Sequence, residues 1–255
     1  GAHPMKFLTK ACFGMLLATS AMATPAMAQD ATDAPSGPIT VSGGVDLVSD
    51  YRFRGISLSN EKVEVQPTIT LTHESGFYAG VWGSGLPKTD EYGKVEVDLY
   101  AGWGGEVAPG TSVDIGATYY WYPDGKDAFG PVDYVEIIGK LSHDIGPVSA
   151  TGTVAYAPSQ KSLGSDDNIY LNFGLSSGIP NSPVTLDASL GYTSGSLGAL
   201  APGGDYLDWT VGATFAAGPM TFGIHYVDTD IKKSGIPAVD TLFDPTVVFK
   251  LGVGF

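Results

Sequence analysis

Residues 95–104 read Val-Glu-Val-Asp-Leu-Tyr-Ala-Gly-Trp-Gly. Val95, Val97, Leu99, Ala101 and Trp103 share one parity, and Glu96, Asp98, Tyr100, Gly102 and Gly104 share the other. A repeat of two belongs to a β-strand whose faces meet different surroundings. The closing stretch does the same: Val247, Phe249, Leu251, Val253 and Phe255 alternate with Thr246, Val248, Lys250, Gly252 and Gly254. So does 207–215, where Leu207, Trp209, Val211, Ala213 and Phe215 alternate with Asp208, Thr210, Gly212 and Thr214. No stretch carries convincing helical spacing.

Extended along the chain, this pattern predicts twelve strands, at about 39–54, 63–73, 77–85, 94–106, 112–122, 133–142, 148–157, 168–176, 184–193, 205–215, 220–228 and 244–255. Most match the 9–11 residues that cross a bilayer at a tilt. The connections sort by length. Those at 55–62, 86–93, 123–132, 158–167, 194–204 and 229–243 are mostly long. Those at 74–76, 107–111, 143–147, 177–183 and 216–219 are tighter. Short turns at one end and long loops at the other mark an outer-membrane barrel. The predicted fold is all-β: a single antiparallel transmembrane β-barrel of about 12 strands, with a polar lumen and both termini periplasmic.

Aromatic residues sort by depth on the same register. Tyr51, Phe53, Tyr119, Trp121, Tyr156, Tyr192, Trp209 and Tyr226 fall near the outer rim, and Phe77, Trp103, Phe215 and Phe255 near the inner rim. Amphipathic rings favour the membrane interface, so this reads as an aromatic girdle. The other face carries Thr68, Thr70, Thr118, Thr151, Asn172 and Thr210. A soluble ligand-binding barrel would place its apolar face inside instead. Phe255, ending an apolar last strand, reads as the signal for the barrel assembly machinery.

Composition bounds the rest. The 255 residues hold 13 Lys+Arg against 27 Asp+Glu, for a net charge of −14. Nucleic acid is excluded as a partner, because neutralising phosphates needs a basic face. Residues 5–28 begin with Lys6 and Lys10, continue through a short apolar run and end in Ala26-Met27-Ala28. That is a secretory signal peptide, with cleavage expected after Ala28. Gly1–Pro4 read as a non-native scar, residues 29–38 as a short periplasmic tail, and 39–255 as the barrel. With Lys6 and Lys10 removed, 11 basic residues face the same 27 acids, and the net charge is −16. The only cysteine, Cys12, lies in the signal segment, so the exported chain forms no disulfide.

The inward face carries the candidate pore-lining residues Asp46, Asp50, Arg52, Glu64, Glu96, Asp98, Asp114, Glu136, Lys140, Asp187, Asp208, His225 and Lys250. Asp50, Glu64, Glu96, Asp98, Glu136 and Asp208 fall toward the outer half, together with Arg52. Acidic rings favour cations. Two readings stay open: a narrow, weakly cation-preferring channel for small polar solutes, or a closed barrel filled by paired charges. Arg52 and Arg54 share a parity, and either hold an anionic group or pair with Asp50, Glu64 or Asp208. Loop 229–243 either plugs the lumen or faces outward as a contact site. Surrounding partners would be outer-membrane lipid and lipopolysaccharide.

No hydrolase, zinc or phosphate-loop motif is present. His73 and His143 fall at strand ends. His225 points inward with only Thr221 as a hydroxyl on its own strand. Asp228-Thr229-Asp230 and Ser165–Asn168 lack the spacing of a calcium loop. The expectation is therefore a non-enzyme without cofactor or metal.

Four stretches add a resemblance: Ser49-Asp50-Tyr51-Arg52-Phe53-Arg54-Gly55-Ile56-Ser57, SGFYAGVWGS at 75–84, EVDLYAGWGG at 96–105 and FKLGVGF at 249–255. Together they resemble the proteobacterial TorF family of porins over roughly residues 39–255. The resemblance implies an outer-membrane porin for small solutes. One departure is Val63-Glu64-Val65-Gln66-Pro67, where the family usually has a Pro-Ala-x-Gln run. Pro67 thus sits inside the second strand, where it removes a ladder hydrogen bond and unsettles the register.

Overall fold

The computed structural model describes residues 37–126 and 130–255. The signal segment at 5–28, the four residues before it and the tail as far as residue 36 lie outside the described residues.

The strands are β1 (Ile39–Val48), β2 (Arg52–Phe53), β3 (Ile56–Ser57), β4 (Glu64–His73), β5 (Phe77–Thr89), β6 (Gly93–Ala108), β7 (Thr111–Trp121), β8 (Tyr134–Ile145), β9 (Val148–Gln160), β10 (Asp166–Gly178), β11 (Val184–Gly195), β12 (Asp205–Ala217), β13 (Met220–Thr229) and β14 (Thr246–Gly254). From β5 to β14 each strand pairs with the one before it, and β1 bridges β14 and β4 to close a twelve-stranded barrel. Gly43 and Phe255 complete the seam by exchanging backbone hydrogen bonds of 3.0 and 2.9 Å. Closure removes both sheet edges. β2 and β3 form a separate two-residue ribbon.

The alternation seen in the sequence is the alternation of the wall. In β14, Val247, Phe249, Leu251 and Val253 are 43–50% exposed, whereas Val248 and Lys250 are buried. Val45, Leu71, Ile115, Leu141, Leu190 and Val211 continue the exposed apolar surface around the barrel. So large a contiguous apolar belt is unfavourable in water. It suits a lipid phase, in which a closed barrel also satisfies the backbone.

Inside, small residues make room for large ones. A side chain at Gly80 would collide with the Tyr100 ring, and one at Gly102 with the Tyr78 hydroxyl. Each glycine stands across the ladder from that residue, in the pairs Gly80–Tyr100 and Tyr78–Gly102. Tyr78 and Tyr100 lie tilted, 6.4 Å apart.

Three expectations need correction. First, β1 ends at Val48, not at residue 54. Ser49–Leu58 turns inward, and Tyr51 and Phe53 leave the girdle with it. Tyr51 is only 3% exposed and Phe53 packs against the buried core cluster. The turn is made by Arg54 and Gly55, both at positive φ (50° and 84°). It is held by Asp50, which accepts hydrogen bonds from Ser57 and Ser59. Second, β5 and β6 run on to Thr89 and from Gly93, so most of the supposed loop 86–93 is ribbon. The hydrophobic alternation stops where the wall leaves the lipid, but the ladder does not. Likewise β9 and β10 shorten the connection 158–167 to residues 161–165. Third, Pro67 is accommodated in β4 opposite Val45 of β1, but the β4–β5 register covers only Thr68–Thr72 with Tyr78–Trp82.

Candidate functional site

The inward ribbon crosses the outer half of the lumen. Leaving β1, Asp50 takes the Arg52 Nε at 2.6 Å. Arg52 Nη1 donates to the carbonyls of Gly55 and Asp244, each at 3.0 Å. Its Nη2 lies 3.6 Å from Glu61. The Tyr51 hydroxyl donates to Glu96 on β6 at 3.0 Å, and its ring meets Trp82 of β5 edge-on at 5.4 Å. Phe53 meets Tyr120 of β7.

Arg54 reaches farthest. Its Nη2 donates to both oxygens of Glu136 on β8, each at 2.9 Å. The guanidinium lies 4.2 Å above the Tyr170 ring of β10 and 4.5 Å from that of Phe53. Its carbonyl accepts from the Tyr206 hydroxyl of β12 at 2.9 Å. A segment rooted in β1 is thereby tied to six other strands of the barrel, β5, β6, β7, β8, β10 and β12.

The polar partners are themselves held. Tyr120 donates to Glu136 at 2.9 Å and stacks on Tyr134 at 4.4 Å. Tyr170 donates to Asp208 at 3.2 Å. Glu96, Asp98, Glu136 and Asp208 are each no more than 1% exposed. Among the described residues, no Lys or Arg lies within ion-pair distance of Glu96, Asp98 or Asp208. Of the two arginines, Arg52 pairs with Asp50 and Arg54 pairs with Glu136.

Most of the remaining candidate residues face a partner. Asp46 pairs with Lys250 at 2.9 Å. Asp187 faces His225 at 2.9 Å. Asp114 stands across from Lys140 in the β7–β8 register and accepts from Tyr78 at 2.8 Å. Glu64 is half-buried, with its carboxylate lying where a side chain at Gly85 would be.

Of the other aromatic positions, Phe77, Tyr119, Trp121, Tyr156, Phe215, Tyr226 and Phe255 are exposed on the outer face. Trp103, Tyr192 and Trp209 are partly covered. Three of the tyrosines share one arrangement. Tyr119 donates to Asp133, Tyr156 to Asp167 and Tyr226 to Asp228, at 2.9–3.0 Å. At the other end, Trp103 Nε1 donates to the Ser75 carbonyl at 2.8 Å.

The last long loop contains one helical turn, α1 (Pro237–Asp240). Burial opposes ionisation of Asp240, but hydrogen bonds from Ser234 and Gly235 hold its carboxyl below the usual range. Ile231 and Phe243 of this loop pack with Ala201, Tyr206 and Ile56. The loop therefore covers the mouth over the tip of the ribbon.

Sequence reasoning missed the inward tyrosines, Tyr78, Tyr100, Tyr120, Tyr134, Tyr170 and Tyr206. Their parity put them inside, and the glycines opposite Tyr78 and Tyr100 were the available signal. Tyr134 and Tyr206 start their strands, where parity alone gives little.

Residues 32–255 match the Gcw_chp family, described as a bacterial protein of unknown function. The chain belongs to the Gcw_chp family. No curated protein matches the sequence significantly. Among solved structures, this Gcw_chp barrel is similar to the NanC porin, with a TM-score of 0.55 and 11% identity, covering 85% of this chain and 99% of that one. It is equally similar to the KdgM porin, solved in complex with disordered oligogalacturonate, with a TM-score of 0.55, 7% identity and coverage of 84% and 97%. At such identities the likeness establishes the fold: this Gcw_chp member has the closed-barrel fold of outer-membrane porins.

Proposed function

We propose that this barrel is an outer-membrane channel for passive diffusion of small polar solutes, narrowed by the inward ribbon and weakly cation-preferring. One observation carries this reading. Asp46 and Asp114 each have a lysine opposite them, Lys250 and Lys140, whereas around the ribbon Asp50, Glu96, Asp98, Glu136 and Asp208 face only Arg52 and Arg54. Buried carboxylates lining a constriction attract cations and repel anions. The resemblance to the TorF porins supports the same class of function. KdgM was solved with a polyanion, and the acid excess here argues for a different solute class.

The surroundings in this reading are outer-membrane lipid, lipopolysaccharide and the barrel assembly machinery. A second reading, a barrel that does not conduct at rest, is favoured by the apolar cluster of Ile56, Tyr206, Ile231 and Phe243 at the mouth. An enzyme has less support. Asp187 orients His225, but among the described residues no hydroxyl lies within hydrogen-bond distance of His225 Nδ1. The nucleophile–base pair of a hydrolase is not assembled.

Single-channel recording in a planar bilayer with a KCl gradient tests the proposal. Steady conductance with a cation-selective reversal potential is the expected result. Anion preference overturns the role of the acids. Silence from a folded, heat-modifiable protein overturns the channel and favours the closed barrel.

A further inference from the structure

The inward faces of the strands are not alike. β5 to β8 carry the buried side chains Tyr78, Trp82, Tyr100, Tyr120, Tyr134 and Ile138. β9, β10 and β11 carry small or short polar residues there, with one exception. Among the described residues, Tyr170 is the single aromatic side chain on the inward face of these three strands. Its ladder neighbours are Ala155 on β9 and Thr193 on β11.

The filled layer also differs in depth. On β10 and β11, Asn172, Ser176, Asp187 and Ser189 are partly exposed, so the open part of the lumen reaches up to them from the short turns. Above them Tyr170 and Asn168 on β10, and Gly191 and Thr193 on β11, are buried. That is two inward positions per strand. On β6 the buried layer takes three, Glu96, Asp98 and Tyr100, and on β8 it takes Tyr134, Glu136 and Ile138. On that side the Tyr100 hydroxyl is hydrogen-bonded to Thr70 and the Tyr78 hydroxyl to Asp114.

The thin layer carries polar atoms that the protein leaves unserved. Asn168 Nδ2, Thr193 Oγ1 and Ser189 Oγ, with Asp208 Oδ2 on β12, are buried without a protein partner. Buried polar groups of this kind are served by water. Tyr170 lies across them. A side chain at Gly191 would collide with both the Tyr170 hydroxyl and Asp208 Oδ2, so the two meet over that glycine. The hydroxyl donates to Asp208 at 3.2 Å and accepts from Asn172 at 3.0 Å. The ring lies 4.2 Å beneath the Arg54 guanidinium.

We propose that solutes cross this barrel along β9–β11, and that Tyr170 is the side chain that closes the route, moving off Gly191 to a second rotamer to admit them. The proposal rests on the channel reading above and gives it a path. The route is lined by hydroxyl and amide groups that can replace a solute's water, with Asp208 as the acid in the thin layer. It favours small polar solutes, cations ahead of anions. Glu96 and Asp98 lie on the filled side and act on the route through their field.

Single cysteines test the route. With Cys12 replaced by Ser, the variants are Ser189→Cys and Thr193→Cys on the route and Thr118→Cys on the filled side, where Thr118 stands opposite Tyr100. The probe is aminoethyl methanethiosulfonate, a small cation. The cysteine thiolate attacks its sulfenyl sulfur, a mixed disulfide forms and methanesulfinate leaves. The expected result is labelling of Ser189→Cys and Thr193→Cys, each with a loss of single-channel conductance, and no labelling of Thr118→Cys. The anionic sulfoethyl reagent, its rate taken relative to that with a free thiol, reacts at Thr193→Cys roughly tenfold more slowly than the cation, the factor that ~1.4 kcal/mol of repulsion from Asp208 gives. Tyr170→Ala raises conductance and speeds labelling of Thr193→Cys.

The cysteine series keeps Tyr170, so it decides the route even if Tyr170→Ala does not fold. Labelling is read by mass spectrometry and needs no current. A barrel that is electrically silent yet labels at Ser189→Cys and Thr193→Cys overturns the ion-channel reading and supports the route. Three results overturn the route: Thr118→Cys labelled as fast as Thr193→Cys, Thr193→Cys left unlabelled, or a folded Tyr170→Ala with unchanged conductance and labelling. Equal relative rates for the two reagents overturn the part assigned to Asp208.

Discussion

Arg54, carried on a turn rooted in β1, donates to both carboxylate oxygens of Glu136 on β8 at 2.9 Å. The two side chains are 6% and 0% exposed. This pair fixes the ribbon across the lumen, and it is the first place to interfere with the barrel's function.

Arg54→Ala removes a positive charge and releases the ribbon tip. The expected outcome is higher single-channel conductance and a reversal potential shifted further toward the cation limit. Leaving Glu136 unpaired also costs about 3–5 kcal/mol, read as lower resistance to urea unfolding. Arg54→Ala combined with Glu136→Gln recovers much of that stability and keeps the wider conductance.

Charge removal at the unpaired acids acts in the opposite sense. Asp98→Asn and Asp208→Asn shift the reversal potential toward zero, and the double variant shifts it further. The wild-type preference weakens from 0.1 M to 1 M KCl, as the screening length falls from about 10 Å to about 3 Å.

The lipid belt has its own test. Val211 is 56% exposed near the middle of β12. Val211→Arg is expected to cost about 2–4 kcal/mol in vesicle unfolding. Thr210→Arg, on the lumen side of the same strand, changes conductance instead.

Glycine positions under tyrosines give a packing prediction. Gly80→Ala puts a methyl group against the Tyr100 ring and 2.6 Å from the Ile69 carbonyl. Neither backbone carbonyl nor ring yields easily in a closed wall. The variant is expected to lose heat-modifiability at a lower temperature than wild type. Gly139→Ala, where the added atom meets nothing within 4 Å, behaves as wild type.

The barrel was legible in the sequence because a strand with one face in lipid and one in the lumen writes its environment at a period of two. Val247–Phe255 and Val95–Trp103 show it directly. The ribbon was not legible for the same reason. Asp50-Tyr51-Arg52-Phe53-Arg54 also alternates, so it read as a continuation of β1. What ends β1 is Asp50 gathering Ser57 and Ser59, and a residue other than glycine in the left-handed region at Arg54. Those are contacts between neighbours in space, and alternation carries no record of them. Strand ends were misjudged by a related cause. Thr89 still pairs with Gly93 after the lipid has ended, where nothing selects for apolar residues. Pro67 was readable as a disturbance, but its consequence, a wall parted on one side, needed the register of three strands at once.

The seam between β1 and β14 sets the order of events during assembly. Ser49 Oγ accepts from Phe249 N at 2.8 Å across 200 residues of chain. Contacts so distant in sequence form late and slowly, yet the ribbon they enclose sits beside the first strand. Everything that ends inside the lumen must be tucked in while the sheet is still an open curl, or enter afterwards through the mouth. The last strand is thus a latch that locks a finished interior, and a chain unable to seat Arg54 against Glu136 would be latched around a misplaced thread.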